Sequence, residues 1–127
     1  MNINSLTIKA QEVLQAAFSL ARERGQQAVE PIHLLSVIIS EDDSLGAFLL
    51  GRVGVNLPQL REQVASRLNS MPKVSGSNSE QYFSADSSKV IQRAVDFTRT
   101  FNDKYASVEH LLLGLIAEKG EWATILK

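Results

Sequence analysis

The chain has 127 residues, enough for one compact domain, and its 44% apolar content is ordinary for a globular protein. Lys and Arg total 13 against 14 Asp and Glu, a net charge of -1, so no strong field favours phosphate backbones or anionic lipid and neither nucleic acid nor membrane is an expected partner. The absence of cysteine excludes disulfides and thiolate metal sites and fits a reducing compartment.

Met1-Asn2-Ile3-Asn4 has neither the basic nor the apolar region of a signal peptide. No apolar run approaches the ~20 residues of a membrane span, and a cytoplasmic location is expected. From Ile8 to Arg24 apolar residues recur at steps of three and four, which predicts an amphipathic helix capped by Thr7 and stopped by Gly25. Glu30-Pro31 opens a second helix, apolar nearly all round through Ile32, Leu34, Leu35, Val37, Ile38 and Ile39, and such a helix belongs at the centre of a core. After the polar break Glu41-Asp42-Asp43-Ser44, a short third helix runs from Leu45 to Val53. A fourth follows from Leu57 to about Ser70, with Asn56 and Gln59 at capping-box spacing and Pro58 in its first turn.

Residues 71–83, MPKVSGSNSEQYF, break the helical pattern and read as a surface connector. Then the first half returns. Shifted by 77 positions, Val13, Gln15, Ala17, Arg22, His33, Leu34, Leu35, Ile39 and Glu41 meet Val90, Gln92, Ala94, Arg99, His110, Leu111, Leu112, Ile116 and Glu118, without a gap. Ser84 caps the fifth helix, Asn102-Asp103 stops it, and Ser107 caps the sixth. Trp122 to Lys127 begins a further helix. The expected fold is all-α, a single domain built as a pseudo-two-fold repeat of seven or eight helices. Repeat 1 covers about 7–70, the linker 71–83 and repeat 2 about 84–127.

No pattern for catalysis emerges. His33 and His110 occupy equivalent places in the repeats and lack the H-x-x-x-H, H-E-x-x-H or carboxylate partners of a metal or catalytic site, so they read as surface or half-buried histidines kept from the duplication. GSNSE at Gly76–Glu80 lacks the second glycine of a nucleophile elbow, and GLIAEKG at Gly114–Gly120 lacks the spacing and following lysine of a phosphate loop. Glu41, Asp42 and Asp43 read as solvated charges ahead of a helix rather than a cation site. A helical domain without a reacting site is expected to bind another polypeptide.

The segments LTIKAQEVLQAA, ARERGQQAVEPIHLL, MPKVSG and NDKYASVEHLLLGLI, in this order over essentially the whole chain, resemble the Clp N-terminal repeat domain. The connector LNSMPKVSG is most similar to that of the ClpB-type disaggregases of the Hsp100 group. The resemblance implies a mobile accessory domain, itself without ATPase activity or cofactor, at the head of a hexameric AAA+ ATPase. ATP and magnesium would belong to the longer protein. It also implies partners: unfolded or aggregated polypeptides, and a DnaK-type chaperone system acting with the whole machine. The 127-residue chain itself is expected to be monomeric.

Three polar positions tied to substrate engagement in the family match Thr7, Asp103 and Glu109 of this chain, and each also has an ordinary helix-end or turn role. The family's apolar groove matches Ile91 and Phe97, whereas Arg93 and His110 stand where some members have apolar residues. Two other readings remain at this point. One is the adaptor-binding domain of a protease-linked Clp ATPase, against which the connector argues. The other is a helical DNA-binding regulator, for which Arg22, Arg24, Arg93 and Arg99 form no basic stripe.

Overall fold

Thr7 begins the regular structure by accepting a hydrogen bond at its hydroxyl from the Ala10 N–H at 3.1 Å, which satisfies one of the donors a helix start leaves open. The computed structural model describes residues 5–40, 45–52, 54–71, 81–100 and 104–117. In chain order they form α1 (Ile8–Glu23), β1 (Ala28–Val29), α2 (Pro31–Ile38), α3 (Leu45–Arg52), α4 (Leu57–Ser70), β2 (Tyr82–Phe83), α5 (Ala85–Thr100) and α6 (Val108–Ala117). Gly25, at φ 69°, ends α1 in the left-handed region where a side chain is strained. Asn56 caps α4, its side-chain oxygen taking the Gln59 N–H at 3.1 Å.

The all-α repeat is the fold observed, with six helices among the described residues. The helix expected from Trp122 and the carboxylates Glu41 to Asp43 lie outside them. The two strands were not expected, and the stretch read as connector ends in one of them, β2. The reason is physical: two residues carry no readable alternation, and parallel pairing joins segments far apart in sequence.

The core is the two apolar helices laid together. Leu34, Leu35 and Ile39 from the first repeat and Leu111 and Leu115 from the second are fully buried, with α1 and α5 outside them and α4 against α2. Each such side chain contributes about 1.5–3 kcal/mol before ordering is subtracted. Helices α5 and α6 approach so closely that a Cβ on Gly114 would stand 2.6 Å from the Val90 carbonyl oxygen.

The repeats are also laced to each other. In β1–β2 the first repeat's Val29 pairs with Phe83, the last residue before the second, and an isolated parallel bridge pairs Leu6 with Ala106. These are one contact made twice, because the 77-residue register matches Leu6 to Phe83 and Val29 to Ala106. The hydrogen bonds match as well: the Thr7 N–H donates to the Ala106 carbonyl at 2.9 Å, and the Ser84 N–H to the Val29 carbonyl at 3.1 Å. The Ser84 hydroxyl accepts from the Ser87 N–H at 3.1 Å, repeating the cap of Thr7 on Ala10.

The histidines correct their sequence reading. His33 is 0% and His110 6% exposed, and each uses Nδ1 to accept the backbone N–H three residues earlier, from Glu30 at 2.8 Å and from Ser107 at 2.9 Å. They close the first turns of α2 and α6, which is why they are interior.

Candidate functional site

The Leu6–Ala106 bridge sets the start of α1 beside the start of α6. Thr7 and Glu109 are thereby brought to one end of the molecule. Thr7 is half-buried, its hydroxyl committed to Ala10 and its N–H to Ala106, while Glu109 is exposed in the first turn of α6. A carboxylate there is matched to the helix dipole and also open to a ligand's donors.

Between and beside these polar groups stand two large apolar residues that sequence reasoning did not single out. Ile8 is 76% exposed and Tyr105 is 53% exposed; one follows Thr7, and the other precedes Ala106. The register contained a signal for both, since Ile8 matches Ala85 and Tyr105 matches Ala28: large apolar residues replace alanine on one side of the pseudo-two-fold only. The same end in the other half, around Ser84, Ala85 and Ala28, presents a different apolar residue, Tyr82, which is 57% exposed and pairs with Ala28. The two ends therefore differ in their side chains although the scaffold is double.

Helix α6 continues the surface. Glu109, Leu113 and Ile116, three of its four exposed positions, are spaced by four and three, so they share one face. Phe48 is also exposed, on α3, which packs against α6, and the Arg52 guanidinium lies over its ring at 5.9 Å from the centroid.

The remaining expected positions divide. Phe97 is half-buried on α5, near the end that leads into α6. Asp103 lies outside the described residues. Ile91 is corrected: at 1% exposure it belongs to the core, because the face of α5 that carries Val90, Ile91 and Ala94 is the one α6 covers. An arrival at the surface could not touch it. Arg93 is exposed and His110 interior.

The described residues contain no group of three or more His, Cys, Asp or Glu able to hold a metal ion. The Thr7 hydroxyl already accepts from the Ala10 N–H. What the geometry offers is contact: an aromatic ring, an aliphatic side chain and a carboxylate on a rigid helical frame. No described helix is long and apolar enough to cross a membrane.

Comparison with known proteins agrees with this architecture. Residues 5–127 match the family described as Clp repeat (R) N-terminal domain. The chain is 41% identical over 127 residues to the chaperone protein ClpB of Porphyromonas gingivalis and 39% identical to that of Bacteroides thetaiotaomicron, in each case covering 100% of this chain. It spans 14% of the length of these relatives. Among solved structures, a ClpV N-domain in complex with a VipB peptide superposes with a TM-score of 0.82 at 21% identity, over 98% of this chain and 78% of the other.

Proposed function

The chain belongs to the Clp repeat (R) N-terminal domain family, and on that premise we propose that it captures unfolded or aggregated polypeptide for a ClpB-type disaggregase. Contact is made at the Thr7–Glu109 end. The observation that carries this reading is the pair Ile8 and Tyr105, both exposed at the end of the molecule that also carries the exposed Glu109. Clients with unrelated sequences share one property, exposed apolar side chain, and a site that is apolar with one charged neighbour recognises that property without reading sequence.

The strength expected is modest. Burying ~300–500 Å² of a client at about 25 cal/mol per Å² yields several kcal/mol, much of it offset by ordering the segment. Weak binding by one domain becomes effective when several copies act on one aggregate, which suits a homohexamer carrying six such heads. In this reading the longer protein hydrolyses ATP with magnesium, works in the cytoplasm and cooperates with a DnaK-type system, whereas the domain itself only grips. Thr7, Glu109 and Phe97 belong to the contact region, as does Asp103, two residues before Tyr105. Ile91 serves the core.

The test is titration of the isotopically labelled domain with reduced, carboxymethylated lactalbumin, a permanently unfolded protein. Shifts should concentrate on Ile8, Tyr105 and Glu109, and Ile8→Asp with Tyr105→Asp should weaken binding at least fivefold while the thermal midpoint stays within a few degrees. Unchanged binding by the folded double variant would refute the assignment.

A further inference from the structure

The turn that presents Tyr105 and Glu109 is held from inside by His110. Its Nδ1 accepts the Ser107 N–H at 2.9 Å and lies 2.8 Å from the Ser107 hydroxyl, so one ring ties down the residue midway between them. At 6% exposure that ring is too deep to meet a client itself. Because Nδ1 accepts from the backbone, the ring proton sits on Nε2, and a buried donor of that kind requires an acceptor.

The first repeat shows what supplies one there. His33 accepts the Glu30 N–H at 2.8 Å in the same way, and its Nε2 lies 2.6 Å from Gln26 Oε1. Only the oxygen of that amide is used: Gln26 Nε2 is buried and has no partner among the described residues. The position asks for an acceptor and has no use for a donor. Its surroundings recur in the second repeat. The Leu6–Ala106 bridge is the counterpart of the Val29–Phe83 pair, and the helices open alike, the Leu34 N–H donating to the Glu30 carbonyl at 3.4 Å and the Leu111 N–H to the Ser107 carbonyl at 3.1 Å. Arg22 and His33 stand eleven residues apart, as do Arg99 and His110, so the 77-residue register crosses this turn without a gap and matches Asp103 to Gln26.

We propose that Asp103, whose place is read from the register alone, accepts from His110 Nε2, and that the two are positioning residues that hold Tyr105 and Glu109 ready for a client. The proposal rests on the client-capture reading and assigns Asp103 an indirect part in it. A carboxylate offers acceptors only, so the donor that Gln26 leaves unmatched has no counterpart here, and a charged acceptor makes the stronger bond. Aspartate is one methylene shorter than glutamine and draws its own backbone nearer the ring. Neither residue touches the client. They fix the turn beforehand, so less ordering remains to be done when a segment arrives, and affinity gains by that amount.

Asp103→Asn and Asp103→Ala separate this role from direct contact. Asparagine keeps a side-chain oxygen, as Gln26 does, and removes the charge, whereas alanine removes both. In the isotopically labelled wild type and each variant, the protonated nitrogen of His110 is read by long-range proton–nitrogen correlation, with His33 as internal standard. The Tyr105 and Glu109 amide shifts are read without client, and lactalbumin affinity by titration. The proposal expects His110 to be protonated on Nε2 in the wild type and in Asp103→Asn, with both amides in place and affinity within about twofold; in Asp103→Ala the two amides should move and binding weaken by about threefold or more. A proton on His110 Nδ1 in the wild type overturns it. So does Asp103→Asn binding as weakly as Asp103→Ala, which would make the charge itself the contact. If Asp103→Ala fails to fold, nuclear Overhauser contacts between His110 Hε1 and Asp103 Hβ in the wild type decide: their presence supports the brace and their absence overturns it. A wild-type chain that ignores lactalbumin would refute the function proposed above, while the spectra read without client still decide whether Asp103 holds His110.

Discussion

His33 Nε2 lies 2.6 Å from Gln26 Oε1, in the interior, while its Nδ1 accepts the Glu30 N–H. An imidazole that accepts at Nδ1 carries its proton on Nε2 and donates it to the amide oxygen, so the ring is bonded at both nitrogens as the neutral form. The pair fixes the turn between α1 and α2.

Protonation undoes that arrangement. Burial holds the His33 pKa below its ordinary value of 6.5, outweighing the backbone hydrogen bond with Glu30, which raises it, while the Arg24 charge lowers it further. Above that value both folded and unfolded chains carry neutral His33, and its contribution is fully present. As pH falls through 6.5 the unfolded chain takes up the proton first, so stability declines until the folded pKa is reached. Unfolding free energies from urea titrations at pH 7.5, 6.5 and 5.5 should fall by up to about 1.4 kcal/mol per pH unit on the acid side, and the fall should shrink in His33→Gln.

Gly114→Ala should destabilise the domain by about 1–3 kcal/mol, because the new methyl meets the backbone oxygen of Val90, which cannot swing aside like a side-chain tip. Gly51→Ala makes the useful contrast. Its Cβ would meet only Leu57 Cδ1 at 4.0 Å, and on helix α3 the replacement should stabilise by up to about 1 kcal/mol. Thermal denaturation of the two variants side by side checks both signs.

Thr7 serves two ends that substitution can separate. Thr7→Ser keeps the oxygen that accepts from Ala10, and should leave stability within about 0.5 kcal/mol, while Thr7→Ala should cost about 0.5–2 kcal/mol. If lactalbumin binding falls in Thr7→Ala and is kept in Thr7→Ser, the hydroxyl or the cap it makes is needed. If binding falls in both, the threonine methyl makes the contact.

The Ser87 hydroxyl is buried and donates to the Val29 carbonyl, which also accepts the Ser84 N–H. Removing one of two donors leaves that carbonyl satisfied. Ser87→Ala should therefore cost only about 0.5–1.5 kcal/mol, and the register already places Ala10 at the equivalent position. A loss far above this range in chemical denaturation would mean that the hydroxyl secures β1 more than its neighbours do.

How much could be read before the structure follows from the range of the forces concerned. Helix periodicity and caps are local, so Thr7, Asn56 and Gly25 were legible as ends, and the doubled pattern gave the repeat. Exposure is not local. Ile91 and Ile116 both look like members of an apolar stripe, and only the packing of α6 on α5 and the place of α4 separate a core residue from a surface one. The buried histidines were misjudged for a related reason: an imidazole in an apolar helix suggests a surface position until the backbone donor that accommodates it is seen. Tyr105 and Ile8 do carry a local signal, since each stands where the 77-residue register has alanine in the other half.

The crossed strand pairs have a mechanical consequence. Since Leu6 is held by Ala106 and Phe83 by Val29, each half finishes its helix starts with backbone borrowed from the other, and neither half is a folding unit by itself. Severing the peptide chain between Met71 and Gln81 should leave two fragments that stay associated and melt together. The duplication has thus produced an interlocked pair, in which loosening either half must loosen its twin.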